Sequence, residues 1–216
     1  MLKEILRSLR PACVMLLALS LITGLAYPTA ITLAAKALFP HQAEGSLIVE
    51  NGAVVGSELI GQQSSAPGRF QGRPSATAPQ PYNASASGGS NLSPAGEAQL
   101  KAVAERAEAL RAADPENTAP IPADLLTASG SGLDPHISPA AALYQAARVA
   151  RERGLAEDRV RALVARQTEG RTLGFLGEPR VNVLLLNRAL DGLGGETLAS
   201  ALAPAGASAH NAEVRQ

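Results

Sequence analysis

The chain has 216 residues, with 19 basic and 19 acidic side chains, 3% aromatics and a single cysteine. No basic surplus points to nucleic acid, and the aromatic rings are too few for a base-stacking platform, so no nucleic-acid partner is expected. One cysteine, Cys13, excludes an intrachain disulfide and a cysteine metal cluster.

From the N-terminus, Met1–Arg10 carries Lys3, Arg7 and Arg10 against Glu4. Pro11–Ala35 then runs for 25 residues without a charge. At about 1.5 Å per residue such a helix outspans a hydrocarbon core of roughly 30 Å. Its Ser and Thr hydroxyls can bond back to helical carbonyls. The run is too long for the apolar core of a cleaved signal peptide. After Lys36 no basic residue follows until Arg69. The positive-inside bias therefore predicts one membrane span over 11–37 and residues 1–10 in the cytoplasm. Residues 38–192 are expected as an extracytoplasmic domain. The 16 Arg against 3 Lys, with heavy use of Ala, suggest a GC-rich bacterial genome, so the chain is expected in a bacterial inner membrane. Ser20, Gly24 and Pro28 recur every four residues and suit the close approach of a partner helix.

Ser46–Gly61 places two β-rich runs around Asn51-Gly52, the pattern of a two-residue hairpin turn. Ser64–Gly96 is dominated by Gly, Ala, Ser, Pro and Asn. Its composition is that of a flexible linker. Two pieces, Gly72–Ala76 and Asn83–Asn91, instead suit turns held by side-chain bonds. A helix is predicted over Pro94–Ala113, capped by Ser93. Leu100, Val103, Ala107 and Leu110 form its buried stripe, and Glu97 pairs with Lys101 on its surface.

Ile121–Pro139 concentrates the special residues. Ser138-Pro139 opens a second helix that runs to Arg153 and stops at Gly154. Leu143, Ala147 and Ala150 share one of its faces, Gln145, Arg148 and Glu152 another. A third helix, Glu157–Thr168, buries Val160, Leu163 and Val164. The apolar run Val181–Leu186 is read as a central buried strand. Residues 193–216 are Ala/Gly/Ser-rich and are read as a disordered tail. The expected fold class is α/β: one N-terminal transmembrane helix, then a small domain in which the hairpin and the Val181 strand form a sheet packed by three helices.

Ser129, Ser131, Asp134 and His136 admit a hydrolase reading, with Ser131, His136 and Asp134 as the triad. All four crowd into eight residues, however, and the Gly-x-Ser-x-Gly elbow is absent. Asp124, Asp134 and His136 are too few for a common zinc set. The plainer reading is that they tie down a tight loop and cap the following helix. Gly88-Gly89-Ser90 is not followed by Gly-Lys-Ser/Thr, so it is not a phosphate loop. No catalytic residue and no metal ligand is assigned.

Five stretches carry a resemblance: GRPSA (72–76), NASASGGSNL (83–92), IPADLLTASGSGLDPHISPAAA (121–142), YQAARVARERGL (144–155) and FLGEPRVNVLLLN (175–187). In content and order they resemble the C subunits of the bacterial Kdp potassium-transporting P-type ATPases, from the anchor to about Leu190. Ser64 and Ser65 stand where that family leads one to expect an aromatic. The resemblance implies a non-catalytic subunit that works with a channel-like A subunit, an ATP-hydrolysing B subunit and a small F subunit. It implies a role in assembly and a catalytic-chaperone effect on ATP affinity, with Gln145 in the nucleotide-related position. ATP, magnesium and potassium belong to the complex, and no cofactor is assigned to this chain. On that basis Arg73, Asn83, Ser90, Asn91, Asp124, Ser129, Ser131, Asp134 and His136 are expected to build a partner-docking surface or to hold its loops. Ser20, Gly24 and Pro28 are expected to face a partner helix.

Overall fold

In a computed structural model, residues 2–50, 52–64 and 66–202 are described. The chain divides into two compact units, Met1–Ser57 and Glu58–Gln216.

The first unit opens with helix α1 (Leu2–Leu21), passes through a π-helical segment at Ile22–Ala26 and continues as α2 (Tyr27–Leu38). Arg7–Leu38 has a mean hydropathy of 1.9 and is long and apolar enough to cross a membrane. Pro11 sits inside α1. Thr23 Oγ1 donates to Leu19 O at 2.7 Å, as expected for a hydroxyl in an apolar helix. Four residues overshoot a full α-turn by about 40°. The wider π turn reduces that drift, which keeps Ser20, Gly24 and Pro28 nearer one line. A short helix, α3 (Pro40–Ala43), precedes the hairpin of β1 (Leu47–Glu50) and β2 (Ala53–Ser57). Glu50 pairs with Ala53 across a two-residue turn, and Gly52 takes φ +79°. The ladder carries a bulge between Ile48 and Val49.

The second unit contains α4 (Glu97–Ala113), β3 (His136–Ile137), α5 (Pro139–Arg153), α6 (Glu157–Arg166), β4 (Thr168–Glu169), β5 (Arg180–Asn182) and α7 (Val183–Leu202). Its sheet has the order β3-β5-β4, antiparallel throughout. The core is built from Ala142, Ala146 and Val149 of α5, Val160 and Val164 of α6, Ile137, Val181, and Leu186 and Leu190 of α7. Phe70, from the Gly/Ser/Pro-rich stretch, is fully buried among them.

Several expectations are corrected. The hairpin forms its own two-stranded sheet and does not join the Val181 strand. The run Val181–Leu186 is not a strand throughout, because Asn182 ends it. Its Oδ1 accepts from the amides of Leu184 (3.1 Å) and Leu185 (3.2 Å), which caps α7 and turns the apolar run into a helix. That helix continues to Leu202, past residue 193, where the tail was expected to begin; residues 203–216 lie outside the described residues. Helix α4 starts three residues late, at Glu97, with Gly96 and not Ser93 at its N-cap. Ser93 O instead accepts from Gly96 N in a turn. None of the α4 stripe is fully buried, and Leu100 is 59% exposed. The surface pair on α4 is Lys101–Glu105, not Glu97–Lys101. On α5, Leu143 is exposed, whereas Gln145 and Arg148 are buried. Ser138 caps α5 through Ala141 N, and Gly154 closes it with φ +64°, both as expected.

Candidate functional site

The two loops singled out in the sequence, 72–91 and 127–138, fold onto each other. Arg73 bridges them, with its guanidinium 3.2 Å from Asp134 Oδ2 and donating to Ala128 O at 3.4 Å. Ser75 Oγ donates to Gly132 O at 2.6 Å and accepts from Tyr82 N at 2.9 Å. Gly88 N and Ser87 Oγ both donate to Ser131 O. Tyr82 OH donates to Arg73 O at 2.6 Å. Gly132 has φ +68°, and a Cβ there would sit 2.8 Å from Gly88 O, so the seam closes only on a glycine.

Within each loop the polar side chains hold backbone. Asn83 Oδ1 accepts from Ser85 N, and its amide donates to Ala78 O. Ser129, buried, accepts from Gly132 N through its hydroxyl, and Ser131 from Leu133 N. Asp124 receives Ser138 N at 2.7 Å and Ser138 Oγ at 3.2 Å. Asp134 Oδ1 accepts from His136 N at 3.0 Å and lies 3.5 Å from His136 Nδ1. Ser90 and Asn91 lie exposed at the end of the first loop, Asn91 with φ +52°.

Burial by itself would raise the Asp134 carboxyl. Hydrogen bonds from His136 and the Arg73 charge outweigh it and leave the group below its ordinary value. Tyr82 is pushed up, first by burial and then by the Asp134 charge. Among the described residues no hydrogen bond joins Ser131 to His136, so the nucleophile–base contact of a hydrolase is not formed. Beside this seam Ser64, Arg69, Tyr82, Asp134 and Asn187 line a cavity of 270 Å³.

A second assembly was not legible as such in the sequence. Residues 67–71, which leave a turn closed by Arg69 N donating to Ala66 O at 3.2 Å, cross α5 and α7 as a strap bonded by side chains in place of a neighbouring strand. Asn187 Oδ1 accepts from Phe70 N at 2.8 Å, and its Nδ2 donates to Phe70 O at 2.9 Å. Gln145 does the same for Gln71, accepting from N at 2.8 Å and donating to O at 3.1 Å. Arg148 donates to Pro67 O and Arg69 O, and Arg153 Nε to Gly68 O. Asp191 holds Arg69 and Arg153 together at 2.9 and 2.7 Å. Gln145 is 2% exposed, and its amide is engaged by the strap on both sides. A Gln and an Arg at i,i+3 among the alanines of α5 form a pattern that a solvated helix face would also show, so the sequence carries no signal for the strap. Ser20, Gly24 and Pro28 belong to the first unit.

The structure thus defines a class: a helix able to cross a membrane, attached to a mixed helix-and-sheet unit whose loop side chains hold its own backbone. Comparison with known proteins is more specific. The family model described as "K+-transporting ATPase, c chain" matches residues 9–192. A potassium-transporting ATPase KdpC subunit of Variovorax paradoxus is 67% identical over 183 residues, covering 85% of this chain and 95% of that one. The subunits of the same description from Polaromonas naphthalenivorans (65%, covering 86% and 94%) and Sorangium cellulosum (63%, covering 87% and 98%) are similar to it over comparable spans. The chain belongs to the KdpC family.

Proposed function

We propose that this chain is the non-catalytic accessory subunit of an ATP-driven potassium uptake complex. The observation that carries the reading is the match over residues 9–192 to C chains of K+-transporting ATPases, with 67% identity to one of them. In this reading α1 and α2 anchor the chain in the inner membrane with the N-terminus inside, in keeping with Lys3, Arg7 and Arg10. The second unit stands on the outer side. There the interlocked loops 72–91 and 127–138 dock on the channel-like A subunit near the potassium entrance. The ATP-hydrolysing B subunit and the small F subunit complete the complex.

The chain stabilises the assembly and raises the B subunit's affinity for ATP. The Gln145 amide is occupied by Gln71, which supports an effect transmitted through the complex over direct contact with nucleotide. The test is complementation. In cells lacking their own C chain, the full chain should restore growth at limiting potassium and co-purify with the A and B subunits. Failure of both would overturn the reading. Asp134→Ala and His136→Ala should weaken that co-purification, and unchanged assembly would remove the loops from the docking surface.

A further inference from the structure

Between β4 and β5 the chain makes a short second hairpin. Two ion pairs draw its base together, Arg171–Glu178 at 2.7 Å and Arg180–Glu169 at 2.9 Å. Above them Thr172 and Leu176 pair across the turn, each amide donating to the other's carbonyl at 2.9 Å. Leu173 (φ +54°) and Gly174 (φ +82°) bend the tip. Held there, Leu173 is 78% exposed, Phe175 68% and Leu176 50%. Among the described residues of this unit, no other stretch so short exposes three large apolar side chains. A leucine in the left-handed region is also strained, because its Cβ crowds the following carbonyl. No described residue of the unit covers these side chains, so among the described residues neither the exposure nor the strain is offset by its own packing.

We propose that residues 171–178 are a docking finger that seats Leu173 and Phe175 in an apolar cleft on another subunit of the potassium-transporting complex. The inference rests on the functional reading above. Charge argues for a protein cleft over a bilayer surface. Both arginines at the base are already paired with glutamates, so the described residues 168–182 offer no unpaired cation for anionic headgroups. Rigidity argues the same way, because a pre-set aromatic anchor gains from a shaped pocket and a fluid surface makes no use of it. Three side chains are a small contact. The membrane span supplies the rest by keeping the effective concentration of the finger high.

The test replaces Phe175 with the photo-reactive p-benzoylphenylalanine in the full chain, co-expressed with the whole complex in membranes. Illumination should give one adduct, with another subunit. In parallel, Leu173→Ser with Phe175→Ser should leave the melting temperature of the chain unchanged and lower its retention in the washed complex about tenfold. Leu100→Ser, at a leucine of comparable exposure on α4, should leave retention unchanged. Adducts only with lipid or with a second copy of the chain, no adduct although the chain co-purifies, or unchanged retention of the double variant would overturn the finger and leave the functional reading standing. A chain that never co-purifies would overturn both.

Discussion

Asn187 and Phe70 exchange two hydrogen bonds, the carboxamide of one matching the backbone N–H and C=O of the other, 117 residues earlier in the chain. Both residues are buried. The pair lets a segment outside any sheet enter the core without a neighbouring strand, since its buried amide and carbonyl are satisfied from α7. Asn187→Leu keeps the branching of the side chain and removes both partners. Each orphaned backbone group costs about 1–3 kcal/mol, so the variant should lose about 3 kcal/mol in urea unfolding of the detergent-solubilised chain. Phe70→Ala should lose about 3–5 kcal/mol by cavity formation. A loss under about 1 kcal/mol in both would show that the strap contributes little.

Gln145 repeats the arrangement at Gln71. Gln145→Ala should speed hydrogen exchange at the Gln71 amide by about tenfold, which corresponds to a local loss of about 1.4 kcal/mol. If the residue acts on ATP affinity through the strap, the KM for ATP of the assembled pump should rise together with that exchange. A raised KM with Gln71 still protected would point to direct contact instead.

Asp134 sets an acid limb. Its carboxyl lies below its ordinary value in the folded chain, so the unfolded chain holds its proton to higher pH. The stability contributed is fully present above the unfolded pKa of about 3.9 and is lost as pH falls through the lower folded value. Asp134→Asn should therefore lower the melting temperature at pH 7 and narrow the gap to the parent chain below about pH 4. A gap that stays constant with pH would show that the Arg73 and His136 contacts do not discriminate the charged form.

Asn182 has two functions in one side chain. Its oxygen caps α7, and its nitrogen donates to Glu58 O at 2.7 Å. Asn182→Asp keeps the cap and loses the donor, whereas Asn182→Ala loses both. The alanine variant should be the less stable by about 1 kcal/mol, the usual worth of an N-cap. Equal melting curves for the two would refute the cap as the stop signal of the strand.

In the membrane span, Gly24 lies within the π segment and would carry a side chain without clash inside the chain. If Ser20, Gly24 and Pro28 face a partner helix, Gly24→Leu should lower potassium uptake roughly fivefold, in line with about 1 kcal/mol of helix packing. Leu25→Ala, at a neighbouring position, should not. Equal activity of the two would leave the segment a tether.

Local physics determined much of this protein from the sequence alone. The apolar span, the Asn-Gly hairpin, the Ser138 cap, the Gly154 stop and the buried stripe of α6 each depend on residues within a few positions of one another. The same locality made it legible that Ser129 and Asp134 would hold turns. Tertiary structure decided the rest, because those outcomes depend on partners far along the chain. Val181–Leu186 has the composition of a strand, and only the cap at Asn182 and the packing of Leu186 and Leu190 make most of it helix. Gln145, Arg148 and Asn187 are buried where the strap supplies backbone groups for them to satisfy. Phe70 lies in a stretch with the composition of a linker, yet it is fully buried in the core. A buried polar group is tolerated only where its partner arrives, and in this chain the partners arrive from 74 and 117 residues away.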